Sequence, residues 1–360
     1  MSVMHVTACR SETLLNHSGH VIPARRLDIG SLALTGASSP IPRLSIAIPT
    51  FQRFDLLQES LASVFQRPFG VSFEVLVVDN DPDGDTQAIK AMRHFADHAL
   101  SYYKNDSNIG MVQNWNRCLE LARGDYVTLL HDDDLFGVCF AQAVSHWLSR
   151  NGPLAPAMAW RHGVLDQRHN RPPAPPPAVP GRLRSGLLSL RGPVRWISTA
   201  DLFFGNPFAG TLGIVLERRR ALALGGFDPS WHPISDYEFW CRWTEVNGSI
   251  GLVRTERTLY RKRENESILP QTRRAFCKRS RDLRERMLAN NALPGFLHLL
   301  IEPLEQIQRR GLEVDWHTID QPEPVRPSAL RKWAWFVFSA VLVRLAHLMQ
   351  RLPAAKNKPS

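Results

Sequence analysis

Three adjacent carboxylates follow a short apolar run in the segment YVTLLHDDDL, residues 126–135. Residues 126–130, four of which are apolar, suit a buried strand, which places Asp132, Asp133 and Asp134 at its carboxyl end. In open α/β sheets, this end of the strands is where ligands bind. Adjacent carboxylates repel one another, and a hard divalent cation neutralises them because it takes oxygen ligands and bridges to substrate phosphates. The pattern therefore indicates a metal site, with a solvated acidic turn as the alternative.

Two earlier predicted strands also end in polar residues. Residues 44–48 are followed by PTFQR at 49–53, and residues 73–78 are followed by DNDPDG at 79–84. Because consecutive parallel strands end at the same edge of a sheet, these groups and the three carboxylates are expected to converge there. Such a convergence favours a nucleotide pocket, in which a carboxylate binds the base or the ribose hydroxyls and an aromatic ring lies against the base.

Two predicted helix entries carry further candidates. Asn108 and Gly110 precede a helix that holds Asn114, and the free N–H groups at such an entry can bind an anion. The alternative is an ordinary capped helix. Asp236 stands near the start of the aromatic helix SDYEFW at 235–240. A carboxylate at this place pairs with the helix dipole or serves as a general base, and the pattern alone leaves both readings open.

The order of the predicted elements places these groups on one sheet. Strands and helices alternate between residues 44 and 149, and this spacing predicts right-handed β–α–β crossovers and a largely parallel sheet. Strands are predicted at 44–50, 73–78, 100–103 and 126–130, and helices at 56–66, 86–98, 111–122 and 140–149.

The domain organisation follows from changes in composition. A poorly ordered leader is predicted at 1–42, a single domain at 43–290 and a helical basic tail at 291–360. The proline-rich residues 171–181 indicate a surface insertion. Within the tail, residues 329–350 contain an uncharged run that is shorter than the roughly 20 residues a bilayer span needs. This segment is either a helix packed on the domain or on a partner, or a basic interfacial helix. Its flanking positive charge favours the membrane surface.

Composition and charge exclude several classes of protein. Of 360 residues, 44% are hydrophobic and 22% are charged, which is typical of a globular protein. The five cysteines form no CxxC pair, so neither a zinc site nor a disulfide framework is predicted. The N-terminus lacks an apolar secretory segment, so we predict a cytoplasmic protein. The net charge is +10, but no nucleic-acid-binding, GxGxxG or P-loop motif accompanies it, and we predict no nucleic-acid partner.

Four segments, taken in order, resemble the motifs of the family 2 glycosyltransferases, which have the GT-A fold. IPTFQR resembles the opening strand motif, and VVDND resembles the second-strand motif. NIGMVQNWNRCLELARGDYVTLLHDDDL resembles the segment that leads to the metal-binding DxD motif, and GGFDPSWHPISDYEFWCRW resembles the acceptor-side segment with the catalytic base. The resemblance covers roughly residues 44–290. It implies a Rossmann-like α/β fold whose mostly parallel central sheet is flanked by helices, with a C-terminal helical extension.

The resemblance implies an inverting, metal-dependent, hexosyltransferase-type enzyme. It would move one sugar from a nucleotide-sugar donor to a saccharide or a lipid-linked saccharide. Processive synthesis is not expected, because the QxxRW pattern is missing. The expected setting is cell-surface polysaccharide synthesis, by a cytoplasmic protein that is peripheral on the cytoplasmic face of the membrane. Two alternatives stay open, namely a metal-dependent nucleotidyltransferase and a catalytically impaired nucleotide-sugar-binding protein.

The resemblance also implies roles for individual residues. Asp236 would be the catalytic base, and Asp133 and Asp134 would bind a divalent cation, Mg2+ or Mn2+. The residues expected to bind the donor are Pro49, Thr50, Phe51, Arg53, Asp79, Asn108, Gly110, Asn114, Asp132 and Arg263.

The chain departs from the family pattern at four positions. Asn80 and Ser235 replace more usual acids, and His131 stands where the first acid of the metal motif often lies. Arg263 replaces a histidine, so it would stabilise a departing diphosphate by charge and could not coordinate a metal. These departures leave open which carboxylates contact the cation.

Overall fold

This computed structural model of the 360-residue chain describes residues 10–11, 14–15, 21–22, 24–27, 41–83, 85–95, 98, 100–150, 156–167, 193–263, 269–290 and 293–315. The chain divides into two compact units. The first unit comprises Met1–Trp196, Phe208–Ser230 and Ile250–Arg263, and the second comprises Ile197–Pro207, Trp231–Ser249 and Glu264–Ser360. The predicted proline-rich insertion at 171–181 and the apolar tail segment at 329–350 lie outside the described residues.

The elements are as follows. The strands are β1 (Arg10–Ser11), β2 (Leu14–Leu15), β3 (Val21–Ile22), β4 (Ala24–Leu27), β5 (Leu44–Thr50), β6 (Phe73–Asp79), β7 (Leu100–Asn105), β8 (Tyr126–Leu129), β9 (Leu135–Phe136), β10 (Ala157–Asp166), β11 (Val194–Ile197), β12 (Ile214–Glu217) and β13 (Ile250–Lys262). The α-helices are α1 (Phe54–Phe65), α2 (Asp85–Met92), α3 (Met111–Leu121), α4 (Phe140–Arg150), α5 (Thr199–Phe204), α6 (Arg218–Ala223), α7 (Ser235–Asn247), α8 (Pro270–Ala289) and α9 (Ile301–Asp315). Short 3-10 helices lie at Arg93–Phe95, Pro229–Trp231 and Gly295–Leu300.

The large sheet has the strand order β1-β4-β7-β6-β5-β8-β12-β10-β13-β11, and β9 pairs with β13. The neighbours β7, β6, β5 and β8 are all parallel, so the four predicted strands form the predicted parallel sheet. β12 pairs antiparallel with both β8 and β10, and β10 pairs parallel with β13. The α/β prediction is therefore confirmed. The sheet beyond β8 is mixed, because β12 lies between two strands that run opposite to it.

Part of the predicted leader adds to one edge of this sheet. β4 pairs antiparallel with β7, and β1 pairs antiparallel with β4. β2 and β3 form a separate two-stranded sheet. The other residues of 1–40 lie outside the described part of the chain, and the prediction of a poorly ordered leader stays a prediction.

The parallel strands are apolar on both faces, as expected where helices flank a sheet. All seven residues of β5 and the last five of β6 are buried. α1 buries Leu57, Leu61 and Val64, the stripe at spacings of four and three that predicted this helix. Gly124 precedes β8, and a Cβ there would lie 2.7 Å from the backbone nitrogen of Ser45. The close approach of this turn to β5 therefore requires glycine.

The described part of the second unit is mainly helical. The aromatic side chains of Trp240 and Trp243 on α7 have no exposed area, as the sequence pattern predicted. Tyr237 donates a hydrogen bond to a backbone carbonyl of α5. Arg284 on α8 is buried, and its Nε donates to the carbonyl of Phe203 at 2.9 Å. None of the described helices is both long enough and apolar enough to cross a bilayer.

Candidate active site

The three carboxylates of the first unit lie in one short turn. We call residues 131–134 the acidic turn, which directly follows β8 and Leu130. Ser60 of α1 is fully buried, and its Oγ lies 2.9 Å from the carbonyl oxygen of Asp132 and 2.7 Å from that of Asp134. α1 therefore holds the backbone of the acidic turn in place through one hydroxyl.

The end of β5 is joined to the acidic turn by side-chain hydrogen bonds. Asp132 is buried and accepts a hydrogen bond from Thr50 Oγ1 at 2.8 Å and from the backbone nitrogen of Phe51 at 3.3 Å. The guanidinium of Arg53 donates to Asp133 Oδ2 at 2.8 Å. The structure thus brings together predicted donor-binding residues from the end of β5 and the predicted metal-binding turn after β8.

A buried arginine holds the other side of the acidic turn. Arg261 of β13 is 2% exposed, and its backbone nitrogen donates to Asp134 Oδ1 at 3.0 Å. Its guanidinium donates from Nε to the carbonyl oxygen of Asp133 at 2.7 Å, and it also donates to Gln167 at 2.7 Å and to Glu59 at 2.5 Å. Segments that are far apart in the sequence therefore fix the position of Asp133.

Burial, followed by the crowding of negative charge, dominates the electrostatics of this turn. Burial and the charge of Asp133 raise the pKa of Asp132 to about 7. Burial, followed by the charge of Asp133, raises the pKa of Asp134 well above its usual range. Arg53 is the cation in direct ion-pair contact with Asp133, and its side chain is 43% exposed. A divalent cation at the turn would stabilise the ionised form of all three acids.

A histidine completes the group that could hold such a cation. His131, Asp133 and Asp134 each offer a ligand atom, and these atoms lie within 4.8 Å of one another. The ring of His131 stacks on Trp115 with centroids 5.2 Å apart, and its Nε2 lies 3.1 Å from Thr211 Oγ1. Burial lowers the pKa of His131, which favours the neutral imidazole that binds metals. One nitrogen and two carboxylate ligands at this separation fit a divalent cation.

Asp79, at the end of β6, lies beside the end of β5. It pairs in register with Thr50 of β5. Its side chain is fully buried and accepts hydrogen bonds from the Tyr102 hydroxyl at 2.7 Å and from the backbone nitrogen of Asp81 at 2.9 Å. Burial raises the pKa of Asp79. The carboxylate therefore already has internal partners, and its donor-binding role stays a prediction.

A network of asparagine amides joins the loops that follow β6 and β7. Asn80 donates to Asn108 Oδ1 at 2.7 Å, and Asn105 donates to Asn80 Oδ1 at 3.0 Å and to Asn114 Oδ1 at 2.9 Å. The oxygen of Asn108 also accepts from the backbone nitrogen of Gly110, whose φ is 84°. Because Asn80 both donates and accepts, an amide suits this place where the family more often has an acid.

The predicted catalytic base lies in the second unit. Asp236 is 8% exposed in the first turn of α7, and it accepts a hydrogen bond from Asn206 Nδ2 at 3.2 Å. Burial raises the pKa of Asp236 to about 6, and this effect outweighs the hydrogen bonds that lower the pKa. The neighbouring Glu238 is held by Arg242 at 2.7 Å and by Arg286 at 2.5 Å. Asp236 is thus a buried acid that is mostly ionised at neutral pH.

Two further residues predicted to bind the donor, Pro49 and Arg263, lie within or directly after strands of the large sheet. Pro49 is buried in β5 and pairs with Val78 of β6. Arg263 directly follows β13, and its side chain is exposed. Arg261, two residues earlier, makes the contacts with the acidic turn, and sequence reasoning did not nominate it. The role of Arg263 stays a prediction.

Comparison with known proteins identifies part of the chain. Residues 45–188 match the family described as Glycosyl transferase family 2. This match supports the resemblance over residues 45–188, which contain the first three of the four motifs, and the fourth motif, at 225–243, lies outside it.

Two curated relatives and one solved structure illustrate the similarity. An uncharacterized protein of Mycobacterium tuberculosis is 29% identical over 212 residues, which are 56% of this chain and 61% of that protein. The GalNAc(5)-diNAcBac-PP-undecaprenol beta-1,3-glucosyltransferase of Campylobacter jejuni is 33% identical over 95 residues, 26% of this chain and 30% of that protein. The chain thus matches less than two thirds of the length of either relative. The mannosyltransferase PcManGT of Pyrobaculum calidifontis, solved with GDP-Man and Mn2+, aligns with a TM-score of 0.48 at 16% identity, over 86% of this chain and 88% of that one.

Proposed function

We propose that this chain, a member of glycosyl transferase family 2 through its residues 45–188, is an inverting transferase that moves one sugar from a nucleotide-sugar donor to a saccharide or lipid-linked saccharide. The observation that carries the proposal is the convergence of the β5 end with the acidic turn, where Thr50, Phe51 and Arg53 contact Asp132 and Asp133. Parallel strand ends of this kind are where α/β proteins bind nucleotides.

On this proposal the residues of the first unit bind the donor. Asp79, with the amide network of Asn108, Gly110 and Asn114, would orient the nucleotide, and the Pro49–Arg53 turn would lie along it. Asp133 and Asp134 would hold a divalent cation, which when bound supplies positive charge to the diphosphate. Arg53 and Arg263 would add side-chain cations to the same diphosphate.

Asp236 would act as the general base. Its pKa of about 6 leaves the carboxylate ionised at neutral pH and close enough to neutrality to accept a proton. The carboxylate would take the proton of the acceptor hydroxyl, whose oxygen would attack the anomeric carbon on the face opposite the nucleotide. The bond between that carbon and the diphosphate oxygen would break, and the nucleoside diphosphate would leave with the electron pair. Such an attack inverts the anomeric configuration. The hydrogen bond from Asn206 would keep the carboxylate oriented.

The acceptor class has support from a relative and from the sequence. The name of the Campylobacter jejuni relative describes an acceptor that is a saccharide on undecaprenyl diphosphate. The basic apolar segment at 329–350 favours a membrane surface. A lipid-linked saccharide at the cytoplasmic face of a membrane, used in cell-surface polysaccharide synthesis, is consistent with both.

The test is a thermal-shift panel of UDP-, GDP-, dTDP- and CDP-sugars and of nucleoside triphosphates, each with and without Mn2+. A ligand that binds only the folded protein raises its melting temperature. We expect one class of nucleotide sugar to stabilise the protein, with Mn2+ required, and Asp133→Ala to lose the effect. Asp125→Ala is the matched control, because Asp125 immediately precedes β8 at the strand end away from the acidic turn and is half exposed in an ion pair with Arg43.

The outcomes separate the alternatives. Stabilisation by nucleoside triphosphates alone would replace the proposal with the nucleotidyltransferase. Stabilisation by a nucleotide sugar without any hydrolysis or transfer would identify a binding protein. If transfer occurs, proton NMR of the first-formed product reports the anomeric configuration, and retention would refute the inverting mechanism.

A further inference from the structure

His131 occupies a more restrained position than a surface histidine. Trp115, which is 6% exposed, stacks on one face of the ring, with the two ring planes 20° apart. Thr211, which is 2% exposed, places its hydroxyl 3.1 Å from Nε2. The stacking on Trp115 sets the plane of the imidazole ring, and the hydrogen bond to the Thr211 hydroxyl sets the orientation of the ring within that plane. The imidazole is therefore held before any ligand arrives.

The hydrogen bond to Thr211 bears on which nitrogen faces the carboxylates. A ring that donates its Nε2 hydrogen to Thr211 Oγ1 keeps the lone pair of Nδ1 free. Histidines that bind metals commonly donate their other ring N–H to a protein oxygen in this way, which fixes the tautomer. One ring nitrogen of His131 and the carboxylate oxygens of Asp133 and Asp134 lie within 4.8 Å of one another.

We propose that His131 is a nitrogen ligand of the divalent cation and makes the site prefer Mn2+ or Co2+ to Mg2+. The proposal rests on the proposed function only in taking from it that the acidic turn binds a cation. Mg2+ favours oxygen ligands in a strict octahedron and gives up water reluctantly. Imidazole suits the transition metals, and affinity at a nitrogen-containing site rises from Mn2+ through Co2+. A carboxylate in place of the imidazole would remove this discrimination.

The experiment detects the metal–nitrogen bond itself. Mn2+ is added to the full chain with pyrophosphate, which supplies a diphosphate without nitrogen, and the bound ion is studied by electron spin-echo envelope modulation. We expect modulation from directly bonded 14N in the parent protein and none in His131→Asp or His131→Phe. The phenyl ring of the second variant keeps a planar group against Trp115, so the comparison removes the nitrogen while retaining the stacking.

A control histidine and a second measurement guard against indirect effects. His162 on β10 is also partly buried and packs edge-on against Tyr260, so His162→Phe should leave the nitrogen signal unchanged. Free Mn2+, counted by its solution EPR signal in competition with Mg2+, gives the ratio of the two affinities. We expect His131→Asp to lower the preference for Mn2+ over Mg2+ by about tenfold. Each variant is first checked for a parent-like circular dichroism spectrum and cooperative melting.

Each outcome of these measurements either supports or refutes the assignment of His131 as a nitrogen ligand. Bound Mn2+ without nitrogen modulation in the parent protein, or an unchanged Mn2+ to Mg2+ ratio in His131→Asp, overturns the assignment. So does a parent protein that binds no Mn2+ under these conditions. A nitrogen signal in a protein that transfers no sugar would keep the assignment and refute the proposed function. Sugar transfer without a nitrogen signal would refute the assignment alone.

Discussion

Replacing Arg261 by methionine tests how far the acidic turn depends on one buried guanidinium. The Arg261 Nε bond to the carbonyl of Asp133 is a charge-assisted bond inside the protein, and such bonds contribute about 1.5–3 kcal/mol. The Glu59 carboxylate is 55% exposed, so its ion pair adds only about 0–1 kcal/mol. Methionine keeps the aliphatic packing. We therefore expect Arg261→Met to lower the free energy of unfolding by about 2–3 kcal/mol.

The assay is urea unfolding followed by circular dichroism, with the Mn2+ affinity measured on each folded variant. Arg261→Lys keeps the charge but cannot reproduce the fixed fork of donors. Its free energy of unfolding should therefore lie between that of the parent protein and that of Arg261→Met. Glu59→Gln is the matched control and should cost less than about 1 kcal/mol. Because the guanidinium orients the backbone of Asp133, the Mn2+ affinity of Arg261→Met should fall by about tenfold. Unchanged unfolding and unchanged Mn2+ affinity in Arg261→Met would refute this reasoning.

Three further predictions concern other parts of the molecule. Asp236→Asn should keep donor binding but lower turnover by about 10²–10⁴-fold. In the parent protein kcat/KM should fall as the pH drops below about 6, because burial raises the pKa of Asp236 and the protonated carboxyl cannot accept a proton. A flat profile of kcat/KM from pH 5 to 8 would exclude Asp236 as the base. Asn80→Asp removes the amide donor that binds Asn108 and should destabilise the protein by about 1–2 kcal/mol in urea unfolding, so an equally stable variant would show that the amide network contributes little. Gly124→Ala would place a Cβ 2.7 Å from the backbone of Ser45 and should cost about 1–3 kcal/mol, which a parent-like melting temperature would contradict.

The sequence predicted the part of the fold that depends on local pattern. β5, β6 and β8 lie where apolar runs were followed by polar clusters, β7 includes the short strand predicted at 100–103, and the parallel order follows from the intervening helices. The proximity of Thr50 to Asp132 also follows from the local pattern. Thr50 ends β5 and Asp132 lies in the turn after β8, and neighbouring parallel strands end at the same edge of the sheet. Hydrophobic periodicity and strand direction were sufficient for these features.

Other features depend on residues that are distant in the sequence, and the pattern contained no signal for them. The antiparallel pairing of β12 between β8 and β10 arises after a long separation, and no short turn marks it. The sequence identified His131 only as a departure from the family motif, since its partners Trp115 and Thr211 become its neighbours only in the folded chain. Arg261 was passed over because a charged residue within a strand gives no indication that it will be buried.

The contact between Arg261 and Glu59 has a consequence for how the protein folds. The two residues are 202 positions apart, whereas Thr50 and Asp132 are 82 apart. Loops of this length close late, since native contacts between distant residues slow folding. A nascent chain that extends through the acidic turn contains all three acids but lacks β13, the strand that carries Arg261. We therefore expect Mn2+ affinity to appear after the parallel strands have formed during refolding, which would make cation binding a probe of the last stage of assembly.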